Sequence, residues 1–481
     1  MISFLLIAAS AFLRIFRTSD LLRFYYDQGR DAQIIMRMIR DFHPVLVGPT
    51  TGLAGILRGP AFYYLLLPGY LIGQGSPAIA AIWIQILNLF GLFILYKFVK
   101  RSFGYKVSLL TLGIVGLSYN FVGLSRWLSN PSAIFLSIPL MLFSLQKIYY
   151  SEKPHFWYPV LALILGLNLQ FEIASEIWFI PLMLLLWIFK LFPKPTLKVF
   201  VVSFLVFFLT LAPQVLFDVR HDGLIRKSII ENFGSTGPSF GYDHQLFSTR
   251  LLLYLESFTD LVSENIFFTG VLAMILAFLP PLFIKNYLKK DQLIYYLFLV
   301  VPLLILLFYI GNHGNFYKYY LVGITPIFAI FLAKGMVESW NTPILKIAIL
   351  IITITFLGKN IYLHYNFFRN DLSGESHISL GNQVRALNWI YQDANGRPFS
   401  MRIYVPPVIP YSYDYLLSWL QEKDSKYLPI EDQPLFYALN EVDTDHADNL
   451  KLWLENQGGY GQIKKTLQFG GITVTKRERN K

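Results

Sequence analysis

Apolar residues form long unbroken runs through the first three quarters of the chain and only short, interrupted patterns after that. Runs of about 17 to 21 apolar residues are long enough to cross a bilayer as helices. The candidate spans are 1–16, 77–97, 107–124, 132–147, 157–171, 174–190, 199–217, 265–284, 292–310, 318–335 and 343–359. They are continuously apolar rather than alternating, which excludes a closed barrel and predicts an all-α polytopic membrane protein with about eleven transmembrane helices. The opening run has no basic segment ahead of it, so it reads as a first span rather than a cleaved leader. The stretch 60–73 is short and carries Pro60 and Pro68-Gly69, which fits an interfacial or re-entrant segment better than a span.

Polar segments between the runs have patterns of their own. In the first long loop, about 17 to 76, Ile34, Ile35, Met38 and Ile39 have helical spacing and predict an amphipathic helix lying on the membrane. Gly48-Pro49-Thr50-Thr51-Gly52 and Arg58-Gly59-Pro60 break it. A second long loop, about 218 to 264, opens on Asp218-Val219-Arg220-His221-Asp222-Gly223 and passes through a Gly/Ser/Pro stretch at 234–241 into another amphipathic pattern. Beyond residue 360 the chain is polar. Val384, Leu387 and Ile390 mark a helix, Arg402 to Val405 a strand, and Ile472 to Lys476 a last strand after the Gly-rich 458–461 turn. The expected division is a membrane domain at 1–360 and a small soluble α/β domain at 361–481.

Composition agrees with a lipid-solvated protein. Of 481 residues, 54% are hydrophobic and 15% charged, and the mean hydropathy is +0.47. The bilayer is therefore the first partner, and no nucleic-acid partner is expected. With no cysteine, disulfides, zinc–thiolate sites and thiol nucleophiles are all excluded. Lysines gather in alternate loops: Lys97, Lys100 and Lys106 with Arg101; Lys147 and Lys153; Lys190, Lys194 and Lys198; Lys285, Lys289 and Lys290; then Lys334 and Lys346. Positive-inside counting places these in the cytoplasm. The chain should then be a multi-pass plasma (inner) membrane protein with a cytoplasmic amino terminus and an extracytoplasmic C-terminal domain. Arg14 and Arg17, after the first span, oppose that scheme.

The outer loops favour arginine instead: Arg14, Arg17, Arg23, Arg30, Arg37, Arg40 and Arg58 in the first, then Arg126, Arg220, Arg226 and Arg250, with Lys227 and Lys318 as exceptions. Guanidinium binds phosphate in a bidentate way that ammonium does not, so these residues suggest recognition of a phosphorylated ligand. Anchoring of interfacial helices by snorkelling is the alternative.

Asp27 carries the most information. It sits in Phe24-Tyr25-Tyr26-Asp27-Gln28-Gly29-Arg30-Asp31, just past the first span. An acid at a membrane surface is costly unless it binds or reacts with something. The structural alternative is an ion pair with Arg30, three residues on. Further along come Arg58-Gly59-Pro60-Ala61-Phe62-Tyr63-Tyr64 and Ser125-Arg126-Trp127-Leu128-Ser129-Asn130-Pro131. In their order these motifs resemble the GT-C glycosyltransferases that use polyprenyl-phosphate sugars, such as protein O-mannosyltransferases and lipid A aminoarabinose transferases (glycosyltransferase family 39-like). The resemblance covers roughly residues 1 to 340. It departs at Gln28, where the family has glutamate, and at Asn130, where it commonly has a second acid. Asparagine hydrogen-bonds but takes no proton.

The resemblance implies a GT-C fold and an inverting transfer of one sugar from a polyprenyl-phosphate carrier to an extracytoplasmic lipid, glycan or protein acceptor. Such an acceptor needs a base. Asp27 is the first candidate and Asp31 its rival. Arg30, Arg58, Arg220, His221 and Lys318 are candidates for the donor phosphate, and Tyr26, Asn130 and Glu172 for substrate binding. Glu172 and Glu176, four apart, share a helix face and either line a cavity or lie exposed at the interface. His313, Tyr317, Tyr319 and Tyr320 surround Lys318 in a later outer turn. The chemistry demands no metal or cofactor, and no acid–histidine cluster has convincing ligand spacing. A lipid-linked-sugar transporter or flippase, which would place charges near the midplane, and a polysaccharide polymerase are the alternatives.

Overall fold

The computed structural model describes residues 1–51, 55–188, 190, 193–233, 244–263, 267–278, 300–310, 317–370, 372–375, 377–406, 409–424 and 426–478. Helices come first in the chain: α1 (Ile2–Ile15), α2 (Thr18–Leu21), α3 (Tyr26–Asp41), α4 (Ala61–Ile72), α5 (Pro77–Phe103), α6 (Tyr105–Leu117) and α7 (Tyr119–Arg126). Next are α8 (Ile134–Tyr150), α9 (Pro154–Phe171), α10 (Ile173–Glu176), α11 (Phe179–Ile188), α12 (Leu197–Arg220), α13 (Leu224–Phe233), α14 (His244–Ser263), α15 (Phe267–Phe278), α16 (Val300–Ile310), α17 (Thr325–Glu338) and α18 (Pro343–Arg369). The C-terminal unit runs α19 (Leu380–Ala394), β1 (Ser400–Tyr404), α20 (Tyr411–Asp424), β2 (Leu435–Glu441), α21 (Ala447–Asn456), β3 (Gln462–Phe469), β4 (Ile472–Glu478).

Among the described residues, four helices are long and apolar enough to cross a membrane, or up to six if each bent pair is one span. Helices occupy the described parts of all the apolar runs, but several are short or broken. The run at 107–124 bends by 59° between α6 and α7, and the run at 174–190 breaks between α10 and α11. α4, at 12 residues, is too short to span. The lysine cluster at 285–290, His313 and the 234–241 stretch lie outside the described residues.

Local chemistry sets the helix starts. Ser76 accepts the Ile79 N–H at 3.5 Å ahead of Pro77, and Thr196 accepts that of Val199 at 3.4 Å. Small residues bring backbones together: a Cβ on Gly91 of α5 would overlap the Phe135 carbonyl of α8, and one on Gly335 of α17 the Leu276 carbonyl of α15. α12 buries none of its residues, and its Phe200, Phe204, Leu205, Phe208 and Leu209 are exposed. Such a surface is solvated by lipid.

Arginines close the breaks. At the end of α6, Arg14 of α1 donates to the Val115 and Gly116 carbonyls at 3.0 and 2.9 Å, and His364 of α18 sits 3.0 Å from the Leu117 carbonyl. Arg126, ending α7, donates to the carbonyls of Leu13, Arg14 and Phe16 at the end of α1. Arg17 does the same for Phe368 and Asn370 at the end of α18. A helix C-terminus leaves carbonyls unsatisfied and carries partial negative charge, so each cation is well placed. Arg14 is thus a buried cap rather than a charge exposed in a loop.

The C-terminal unit is a four-stranded sheet in the order β1-β2-β4-β3. β1 and β2 are parallel, the other pairs antiparallel. It is fastened to the first loop. The Leu380 N–H donates to the Leu22 carbonyl at 2.8 Å, Gln383 to Phe24 at 3.0 Å and Tyr25 to Ile378 at 3.1 Å. α20 packs on α3: Gln33 donates to the Tyr411 carbonyl at 3.1 Å, the Tyr26 and Tyr411 rings meet at 4.9 Å, and Arg40 pairs with Glu422. A Cβ on Gly29 would overlap the Ser412 backbone. Gly29→Ala should therefore cost about 1–3 kcal/mol of stability through overpacking, read as a lower thermal midpoint of the detergent-solubilised protein. An unchanged midpoint would show that α3 and α20 are not held this close.

Candidate active site

The first turn of α3 places the acids. Gln28, buried at the third helical position, accepts the Tyr25 N–H at 3.1 Å. This is the glutamate half of a capping box, and glutamine serves it equally. Asp27 lies in the same turn, where the helix dipole favours negative charge, with its side chain 60% exposed. Asp31 follows one turn later, 8% exposed. Arg30 spans both. Its Nη1 lies 3.0 Å from Asp27 Oδ1, and its Nη2 and Nε lie 2.8 and 3.0 Å from Asp31 Oδ1. The Tyr63 hydroxyl of α4 donates to the same Asp31 oxygen at 3.0 Å.

Burial pushes Asp31 up to about 6, against the opposing pull of Arg30 and the Tyr63 hydrogen bond. At neutral pH it is still mainly a carboxylate, and it takes a proton as pH falls through 6.

Tyr63 also lines a cleft of about 770 Å³. Ile34, Arg37, Met38 and Asp41 of α3 form one wall, the 43–48 segment another, and Leu216, Phe217, Arg220 and His221 at the end of α12 a third. Arg220 and His221 are exposed, and the His221 ring stacks on Phe217 with centroids 3.9 Å apart. Arginine and histidine side chains thus meet apolar ones at the end of an exposed apolar helix. Sequence reasoning named Arg37 only among the loop arginines and Tyr63 only within a motif, and it missed His43. The signal for Arg37 was present, because Arg30, Ile34, Arg37, Met38 and Asp41 follow the spacing of one helix face.

Other sequence candidates are placed differently. Arg58 Nη2 pairs with Glu172 at 3.1 Å, with side chains 10% and 0% exposed. Glu172 is therefore the counter-ion of Arg58 as well as the cap that accepts the Ala174 N–H. Gln170 accepts the Ala61 N–H at 3.1 Å, so the end of α9 and the start of α4 hold each other. Glu176, wholly buried, packs against Gly323 rather than lying at a wet interface. Lys318 is bound by Glu256 and Asp260 at 2.7 and 2.9 Å. Asn130 is buried in a 3-10 turn, and its Nδ2 finds no partner among the described residues. Tyr26 is covered by Tyr411. The structure unites Asp27, Arg30 and Asp31, and puts Arg220 and His221 together in the cleft. Arg58–Glu172 and Lys318 are separate ion pairs. No group of three or more His, Asp or Glu among the described residues is arranged to hold a metal ion.

Tyr63→Phe removes a hydrogen bond that favours the charged Asp31, so Asp31 should titrate at a higher pH still. Infrared absorption of the protonated carboxyl checks this. The band should shift its midpoint upward in Tyr63→Phe and be missing in Asp31→Asn; a midpoint unmoved by Tyr63→Phe would reject the contact.

No protein-family profile and no curated protein matches the sequence. Solved structures do match in fold. ArnT from Cupriavidus metallidurans bound to undecaprenyl phosphate is 11% identical, with a TM-score of 0.60 over 98% of this chain and 96% of that one. The Archaeoglobus fulgidus oligosaccharyltransferase in complex with zinc and sulfate is 10% identical, with a TM-score of 0.52 over 94% of this chain and 69% of that one. The same organism's oligosaccharyltransferase AglB, in complex with an inhibitory peptide and a dolichol-phosphate, gives 11% and 0.50 over 90% and 61%. This chain therefore shares its fold with ArnT over 98% of its length.

Proposed function

We propose that this protein transfers a sugar from a polyprenyl-phosphate carrier to an acceptor at the extracytoplasmic face of the membrane, with inversion at the anomeric carbon. The observation that carries this reading is the pairing of an exposed and a buried carboxylate on Arg30, joined through Tyr63 to a cationic cleft beside a lipid-facing helix. The fold shared with proteins solved with undecaprenyl phosphate and dolichol-phosphate supports it.

In this mechanism the carrier phosphate lies against Arg220, His221 and Arg37, and its isoprenoid tail follows Leu216 and Phe217 along α12. Asp27, open to solvent, takes the proton of the acceptor hydroxyl or amine. The acceptor then forms its bond to the anomeric carbon as the bond to the carrier phosphate oxygen breaks, and the arginines stabilise the departing phosphate. Asp31 is the anchor. With both Asp31 bonds in place, Arg30 presents Asp27 in one orientation.

Asp27→Asn should lower turnover by about 10²- to 10⁴-fold with an unchanged thermal midpoint, measured as transfer of labelled sugar from a defined polyprenyl-phosphate donor. Wild-type-like turnover in the variant would move the base elsewhere. Transfer by the wild type should fall as pH drops through about 6, where Asp31 protonates and releases Arg30. In Asp31→Asn that limb should vanish while overall activity is reduced. An identical limb in Asp31→Asn would assign the titration to another group.

A further inference from the structure

A second cavity, of about 570 Å³, is lined in part by the segment that leads into α3. Its walls come from Thr18, Leu21, Leu22, Arg23 and Tyr25, from Gln85 of α5, from Tyr119, Asn120, Arg126 and Trp127, and from His364 and Phe367 of α18. No acid lines it.

Three features of the wall point to an anionic occupant. First, Arg126 is 6% exposed, and Nη1 alone makes its contacts to the end of α1; Nη2 is buried with no partner among the described residues. Second, Gln85 is wholly buried. Its Oε1 meets Thr18 at 3.3 Å, while Nε2 has no partner among the described residues. Third, neither Arg126 nor the adjacent buried Arg14 has a carboxylate within ion-pair distance among the described residues: Arg14 meets carbonyls and hydroxyls, and Arg126 meets carbonyls and the rings of Phe367 and Phe368, 5.2 and 5.7 Å from its guanidinium carbon. Buried donors left unsatisfied are destabilising, and buried cations more so. Arg23, exposed at the rim, adds a third positive charge. Tyr25, Tyr119, Trp127 and Phe367 make the rest of the wall amphipathic, as at a membrane surface.

We propose that this cavity binds a phosphate-bearing headgroup, with Arg126 Nη2 and Gln85 Nε2 donating to its oxygens and Arg23 closing over it. The site is separate from the Arg37–Arg220 cleft. Its ligand would touch the chain two residues before Asp27, through Tyr25. The phosphate could belong to a lipid or be free, and the two sources share the same recognition chemistry.

The test uses purified full-length protein carrying Arg220→Gln, so that the cleft beside α12 does not contribute. Thermal midpoints are followed against inorganic phosphate, with chloride at matched ionic strength. They are followed in parallel in phosphatidylcholine nanodiscs with and without phosphatidylglycerol. Stabilisation should saturate, and Gln85→Met and Arg23→Gln should each weaken it by about tenfold, the loss of one charge-assisted or buried hydrogen bond. Gln85→Met should meanwhile raise the ligand-free midpoint, because it removes an unsatisfied buried donor without changing the side-chain length. Arg126→Gln is the direct variant, but it also uncaps α1, so the other two decide. A response to inorganic phosphate assigns a free phosphate-sized ligand. A response to phosphatidylglycerol alone assigns a lipid headgroup. No stabilisation by either, or stabilisation equal in Gln85→Met and Arg23→Gln, overturns the proposal. Sugar transfer is not read in this assay, so a negative result here leaves the transferase reading standing, and loss of the transferase reading leaves this binding result standing.

Discussion

Keeping an ionised side chain away from water costs several kcal/mol unless other groups replace the lost hydration, and this cost organises the end of the bundle that carries the sheet. Arg30 shows the arrangement most clearly. Asp31 is buried and would be unfavourable as an anion by itself, so Arg30 and Tyr63 both hold it. Arg30 still has one nitrogen directed to Asp27, whose carboxylate stays largely in water. The same guanidinium thus satisfies a buried acid and orients an exposed one. Arg58 follows the opposite pattern: Glu172 is fully enclosed and takes up its charge, so this pair stabilises the junction of α4 and α10.

Arg14 and Arg126, both buried, use helix ends rather than acids among the described residues, and Arg17 uses a helix end together with Asp20 at 3.0 Å. Arg14, Arg17 and Arg126 each donate to carbonyls at the C-terminus of a neighbouring helix. For these three arginines the role is one that neither phosphate recognition nor snorkelling anticipates. A planar fork reaches two or three carbonyls at once, whereas an ammonium is a single point. The caps also lock α1, α6, α7 and α18 to one another, and α18 is the helix from which the C-terminal unit departs.

What could be read from sequence follows from which interactions are local. Long apolar runs located the helices, the Val384–Leu387–Ile390 spacing located α19, and the Arg402 and Ile472 patterns located β1 and β4. The acids were legible because charge beside a first span is rare. The breaks between α6 and α7 and between α10 and α11 were not, since apolar composition is the same on both sides of a bend. β2 was missed because it is buried along its whole length, which erases the alternation that marks a half-exposed strand. Partners were least legible of all. Glu172 meets Arg58 across 114 positions, and Arg126 reaches Arg14 across 112, distances at which no periodicity operates.

The docking of α20 onto α3 gives the C-terminal unit a role that its own sequence does not suggest. Gly29 lies between Asp27 and Asp31, and the close approach of Ser412 there requires the absence of a side chain. Tyr411 packs on Tyr26 and accepts from Gln33, so contacts flank both carboxylates along the helix. At the other end of the unit, Gln383 links the Phe24 carbonyl to Glu441, which burial pushes up to about 7 against the hydrogen bonds that Tyr413 and Gln383 donate to it. A helix that lay only on a membrane surface could rock and rotate, and the Asp27 carboxylate would move with it. Clamped from above by α20, from the side by Tyr63 of α4 and at its start by the Phe24 carbonyl bond, α3 is fixed in pitch and rotation. The C-terminal unit therefore sets the position of the acids without contributing a side chain to them.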